Sequence, residues 1–381
     1  MRSGVSSSMT GTRGGTSQPY RSTECPCQSR RGRMSKRKNH HFVPQFYFRR
    51  FSLNERSICA LPRTSGKAIR TASIKAQASK DWFYGSDDIE ALLGRIEAES
   101  SLALRALAEQ HNPMDIPPEH VDNLFVWLTL QRSRTDAARQ GSKPMHDKML
   151  QLFLSVEIAN DESLTEDQRT ERLKEAESMS ANPAHAQAVE MEMSIAASKA
   201  LMDLHPLLLE NRTNRPFIFG DSPVVLHNAF FGRVKSRGVL GYDTPGLMLS
   251  YPLGPDLSLL LVDDACYRVK RAREGRVLVR DLNDVMALNK LQLHAASSCV
   301  YFHDFKYEPY VEGLWNEERA ALAPHAGSVH EAPGFDADTA DSLGDIVHFF
   351  QPLLPYELRL SFLEHDVLSD VEYRFSRRSQ R

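Results

Sequence analysis

Hydrophobic positions along the chain change from helical to strand-like spacing a little past its middle. His40-His41-Phe42-Val43-Pro44 reads as extended, because a proline disfavours the α region for the residue before it. Residues 45–51 then bring Phe46, Tyr47, Phe48 and Phe51 together at helical spacing, an aromatic cluster suited to a core. A hairpin is expected over 57–61 and 67–74, joined by Pro-Arg-Thr-Ser-Gly. Over 87–107, Ile89, Leu92, Leu93, Ile96, Ala103 and Leu107 form one stripe at the 3.6-residue period, which predicts a helix. A second helix is expected from Pro118 to about Arg139, with Val121, Leu124, Phe125 and Leu128 on its apolar face. Residues 145–210 continue as helical stretches split near Asn160-Asp161 and Asn182-Pro183.

From Phe217 the pattern becomes short strands, at 217–219, 224–227, 247–251, 257–262, 267–271 and 277–280, several of them separated by glycine turns. A helix over 282–296, capped by Asp281, leads to a last strand at 299–302. Helices first and strands later, without βαβ alternation, predict an α+β fold with a mainly antiparallel sheet. The helical part spans about 87–210 and the strand-rich part about 216–303. No internal repeat of 20 to 50 residues is present. The domain is expected to run from 34 to 305. A C-terminal extension follows over 306–381, with a loop at about 324–340 and two amphipathic pieces after it. Residues 1–33 combine six arginines with many Ser and Gly and no apolar centre, which predicts a disordered extension; Met34, where patterned sequence begins, offers an alternative start.

Composition narrows the function classes. With 41% hydrophobic and 25% charged residues the 381-residue chain is ordinary for a globular protein, and its net charge of −2 gives no general attraction to nucleic acid. The five cysteines, Cys25, Cys27, Cys59, Cys266 and Cys299, are odd in number and scattered, as in a cytoplasmic protein with reduced thiols. No apolar run approaches the roughly 18 residues that would suggest a membrane span. Neither a glycine-rich phosphate loop nor the Gly-x-Ser-x-Gly setting of a nucleophile is present, and no set of residues has metal-ligand spacing. The cofactor, if there is one, is left unassigned. The basic run from Arg30 to Lys38 has the composition of a solvated tail.

The segment from His40 to Phe51 resembles the opening signature of the family known as domain of unknown function 4238. The resemblance continues through Trp82-Phe83-Tyr84, Glu90 with Glu97, Gln131 followed by Arg134-Thr135, Phe217-Ile-Phe-Gly-Asp221-Ser-Pro223, Tyr251-Pro-Leu253 and Leu288-Asn289, in the family's order over roughly residues 39–302. The family carries no assigned activity to transfer.

Each of these residues admits a structural and a functional reading. His40 and His41 titrate near working pH and suit acid/base work or ligand contact; equally, one hydrogen-bonds a turn and the other meets solvent. Glu90 and Glu97 lie about 10 Å apart along one helix flank, placed for acid/base chemistry or for salt bridges. Arg132 and Arg139 continue an apolar stripe, where polar residues often line a cleft. Arg134 is the candidate for an anionic ligand, its alternative being an ion pair with Glu90 or Glu97. Asp221 follows a strand and is either a site carboxylate or the keystone of an Asp-Ser-Pro turn.

Two functions follow. The first is a hydrolase of a phosphate ester in a nucleotide or nucleic acid. It would use His41 as acid/base, Arg134 as phosphate holder, Glu90, Glu97 and Asp221 as carboxylates, and His40 and Gln131 as ligand contacts. The second is a non-catalytic ligand-binding or interaction protein in which the same residues form a structural polar network.

Overall fold

The computed structural model describes residues 38–110, 112–232, 238–270, 272–335 and 342–366, with Arg378. The expected extension over 1–33, with Cys25 and Cys27, lies outside the described residues. The chain opens with strand β1 (Asn39–His41) and the short helix α1 (Gln45–Arg49), followed by β2 (Ser57–Pro62), β3 (Ile69–Ser73) and β4 (Ser79–Asp81). Helices α2 (Asp87–Glu109), α3 (Pro118–Ser133), α4 (Asp136–Asn160), α5 (Glu166–Glu177) and α6 (Pro183–Ala196) come next. The strand-rich half contains β5 (His205–Asn211), β6 (Phe219–Gly220), β7 (Val225–His227), β8 (Met248–Gly254), β9 (Leu257–Val262), β10 (Arg268–Val269) and β11 (Arg276–Val279). After them lie α7 (Leu282–Ala295), β12 (Cys299–Phe302), α8 (Glu308–Glu318), β13 (Ser328–Phe335), β14 (Ser342–Phe350) and β15 (Leu363–Glu364). The fold is α+β.

One five-stranded sheet has the order β11-β5-β9-β8-β7, antiparallel except for β11 beside β5. A four-stranded antiparallel sheet has the order β3-β2-β12-β6. The leucine runs of β5 and β9 are continuous rather than alternating because both faces of the first sheet are covered. Leu208, Leu259 and Leu261 point into a core shared with α2, α3 and the aromatic residues of α1. Leu207, Leu209, Leu260 and Val262 point the other way, against Val285, Leu288 and Leu291 of α7. The signature aromatics tie α1 to this frame: Tyr47 stacks on Tyr251 at 5.0 Å and donates to Pro252 O at 2.5 Å, while Trp127 Nε1 donates to the Tyr251 hydroxyl at 3.1 Å.

Three local expectations change. The helix expected to run to Arg139 stops at Ser133 and restarts at Asp136, because Thr135 adopts extended backbone and its hydroxyl caps the new helix by accepting from Ala138 N. Residues 205–211 form β5 rather than the end of a helical stretch, since His-Pro-Leu-Leu-Leu-Glu-Asn finds a partner on each side. Within the loop expected over 324–340, residues 328–335 form β13, which pairs antiparallel with β14. The chain beyond 305 is also drawn into the core: Leu358, Leu360 and Phe362 join α7, and both Asp284 oxygens accept from Ser361, at 2.6 and 2.7 Å.

Candidate functional site

β1 pairs antiparallel with β4, and this brings the two histidines to the Trp82–Tyr84 segment and the α3–α4 break. His40 is buried; its Nδ1 accepts from Tyr84 N at 3.2 Å and its ring stacks on Tyr84 at 5.8 Å. His41 is half-buried. A carbonyl can only accept, so the His41 Nδ1 contact to Gln77 O, 3.2 Å, fixes the proton on Nδ1, and the Nε2 lone pair then accepts from Gln45 Nε2, also at 3.2 Å. Burial lowers its pKa below the ordinary histidine value, outweighing the Gln77 bond, and the nearby Arg134 charge lowers it further. The ring is therefore neutral at pH 7, with both nitrogens engaged.

Arg134 ends α3 in a bridge-like conformation, φ −84° and ψ 0°, which turns its side chain back under β1. It is fully enclosed, and each side of the guanidinium has a partner. Nε donates to the Tyr84 hydroxyl at 3.0 Å, Nη1 to Glu97 at 2.8 Å and Nη2 to His41 O at 2.7 Å. Burial works against this charge, but Tyr84 and Glu97 more than offset it and raise the pKa above that of free arginine. Burial also pushes the Tyr84 phenol up to about 12 against the pull of Arg134, with the charges of Glu90 and Glu97 adding to the rise. Gln131, buried on α3, donates to Phe42 O at 3.0 Å, while its Oε1 has no hydrogen-bond partner among the described residues. His41, Gln131, Arg134, Glu97 and Tyr84 thus form one cluster, with Glu90 at its edge.

Asp221 belongs to a different one. It follows β6, is buried, and accepts four hydrogen bonds from the turn between α7 and β12: Ser297 N at 2.7 Å, Ser297 Oγ at 3.1 Å, Ser298 N at 2.8 Å and Cys299 N at 3.3 Å. Burial raises its pKa against those four bonds. Gly220, just before it, is where α7 passes closest; a Cβ there would lie 2.9 Å from that of Ala296. The sequence did not single out Gln292, which accepts from Gly220 N at 3.1 Å and donates to Pro223 O at 3.0 Å, one helical turn beyond Asn289, which holds Ile218 N at 2.9 Å. The signal available was the spacing of Asn289 and Gln292, three apart and so on one flank of α7.

The two clusters meet through neighbours of the candidate residues, Thr135 Oγ1 and Ser222 Oγ, 3.3 Å apart. Ser222 also lines a cavity of about 90 Å³. Its walls are largely apolar, from Val224, Leu226, Leu240 and Pro352 among others, and its polar groups include Arg132, Glu190 and His325. Arg132 Nη2 donates to Gln351 Oε1 at 2.6 Å, which ties the segment after β14 across the cavity. Among the described residues no group of three or more His, Cys, Asp or Glu side chains is placed to hold a metal ion, and no helix is long and apolar enough to cross a membrane.

No curated protein and no solved structure matches the chain. One family's sequence model, described as "Protein of unknown function (DUF4238)", matches residues 39–306, the stretch that carries both polar clusters and most of the cavity wall. The chain belongs to the DUF4238 family.

Proposed function

We propose that the chain is a non-catalytic binding protein that takes a small, partly apolar carboxylate in the cavity behind Ser222, and that its signature residues form the structural network holding the walls. The observation that carries this reading is how Arg134 and Asp221, the two charged candidates, are engaged within the protein. Arg134 spends its donors on Glu97, Tyr84 and His41 O, and Asp221 spends both oxygens on residues 297–299. A phosphate-ester hydrolase would need Arg134 exposed to an anion and the Nε2 lone pair of His41 free for a proton. Arg132 is the cation on the cavity wall; Glu190 beside it disfavours a doubly charged phosphate, and the apolar lining suits a short hydrocarbon chain. The volume is below the roughly 150 Å³ of a cavity that takes benzene, so the ligand is a short-chain acid. The free thiols Cys59, Cys266 and Cys299 suit a reducing compartment such as the cytoplasm.

Titration with propionate, butyrate and valerate, followed by calorimetry, tests this. A ligand of this size is expected to bind with Kd on the order of 0.1–1 mM, and Arg132→Gln to weaken it about tenfold. Absence of binding by all three acids overturns the proposal. Turnover of a phosphate ester that disappears in a stably folded His41→Ala variant restores the hydrolase reading.

A further inference from the structure

The cavity behind Ser222 carries a second polar group, one that the binding of a carboxylate alone does not use. His325 comes from the segment after α8, beyond the family match, and forms part of the cavity wall. It is only 6% exposed. Its Nε2 lies 2.9 Å from Ala296 O at the end of α7, and a carbonyl can only accept, so Nε2 carries the proton. Arg63 Nη1 donates to the same carbonyl oxygen and stands 3.4 Å from Nε2, two donors side by side rather than a bond between them. Burial lowers the pKa of the ring against the Ala296 bond, and the Arg63 charge lowers it further. The imidazole is therefore neutral at pH 7. Its Nδ1 is a lone pair with no hydrogen-bond partner among the described residues.

We propose that His325 Nδ1 accepts a hydroxyl proton of the ligand, so that the cavity takes a short hydroxy acid, its carboxylate toward Arg132 and its hydroxyl toward His325. This rests on the reading of the cavity as a carboxylate site and adds the second half of the ligand. An acceptor on a wall of Val224, Leu226 and Leu240 loses its hydration when a plain acid fills the space, and recovers a bond only if the ligand brings a donor. The choice of hydroxyl over ammonium comes from Arg63, whose charge beside the ring opposes a second cation there. Glu190, the group that would attract an ammonium, belongs with Arg132, since both charges act on the Tyr242 hydroxyl. The two ends also differ in origin. Arg132 stands on α3 inside the family match and His325 outside it, so the hydroxyl preference belongs to this chain's extension rather than to the family domain.

Calorimetric titration of the full chain with matched acids tests this: propionate against lactate and 3-hydroxypropionate, and butyrate against 3-hydroxybutyrate. At least one hydroxy acid should bind about tenfold more tightly than its plain counterpart. His325→Phe keeps a ring in the wall and removes the acceptor; it should abolish that preference and leave the affinity for the plain acids unchanged. A second measurement needs no substitution. In the parent chain with isotopically labelled histidine nitrogens, one unprotonated Nδ1 resonance should move upfield, as on accepting a hydrogen bond, with the hydroxy acid but not with the plain one. Binding of the plain acids with no gain from a hydroxyl, or a gain that survives in a folded His325→Phe variant, overturns the inference and leaves the carboxylate site standing. Absence of binding by every acid overturns both. Tighter binding of 3-aminobutyrate than of 3-hydroxybutyrate also overturns it, because Glu190 and not His325 then reads the second group.

Discussion

An enclosed guanidinium costs several kcal/mol unless its donors and its charge are both met, and Arg134 meets that condition through one carboxylate, one phenol and one carbonyl. The arrangement joins three parts of the chain: Glu97 from α2, Tyr84 from the turn after β4, and the backbone of β1. Removing the cation takes the donor from the Tyr84 hydroxyl and the shorter of two bonds from His41 O, which keeps the 3.3 Å bond from Tyr84, and leaves Glu97 without its ion. Arg134→Met should therefore lower stability by about 3 kcal/mol, measured by urea unfolding. Glu97→Gln keeps a hydrogen-bond acceptor and sits at a position open to solvent on one side, so a smaller loss of about 1–2 kcal/mol is expected. Equal losses would mean that the arginine is held by the ion pair alone and that its contacts to Tyr84 and His41 contribute nothing.

The break between α3 and α4 decides where that arginine points, and it shows how far the pattern of the sequence could be read. Leu124, Leu128, Arg132 and Arg139 keep an unbroken helical stripe across residues 134 and 135, so periodicity runs through the break without registering it. The local signal was Thr135-Asp136, a capping residue followed by an acid in the first turn. Thr135→Ala should cost about 1–2 kcal/mol in urea unfolding, because it removes the cap on Ala138 N together with the contact to Ser222; Thr135→Ser should recover most of it. β9, β12 and α7 were legible almost to the residue, since a pure apolar run or an Asp cap marks each end. The ion pair of Arg134 with Glu97 was legible as one of two options, because both glutamates share a flank of α2 and spacing alone cannot choose between them. The destination of Asp221 was not legible: its partners lie about 77 positions further on, and nothing in Asp-Ser-Pro identifies them. β5 was missed because its leucines need a sheet on either side before they cease to look helical.

At the scale of the whole molecule, the residues beyond the family match are fastened to the five-stranded sheet, and one fastening titrates. His227 at the end of β7 accepts from Leu358 N through Nε2 at 3.3 Å, beside Leu360 and Phe362, which complete the core under α7. Burial lowers its pKa to about 4, against the pull of Glu357. Burial likewise lowers His41, His325 and His365. A histidine held neutral by the fold contributes stability that is fully present above the unfolded value of about 6.5 and is lost as pH falls toward the folded value. Asp221 acts in the opposite direction, since its raised carboxyl takes up a proton more readily in the folded chain, but it is one group against four. Urea unfolding should therefore show nearly constant stability from pH 8 to 7 and a decline between pH 6.5 and 4, to which His227 alone contributes about 2–3 kcal/mol at roughly 1.4 kcal/mol per pKa unit. His227→Gln presents an amide oxygen to Leu358 N and does not titrate, so its decline over that window should be shallower by that amount. Near-UV circular dichroism adds a local reading, because Tyr356 lies in the segment that His227 holds; its signal should change at higher pH in the parent than in the variant. If parent and variant lose stability in parallel between pH 6.5 and 4, the acid sensitivity comes from the other histidines, and the tail is held by its apolar contacts and by Asp284 rather than by the neutral ring.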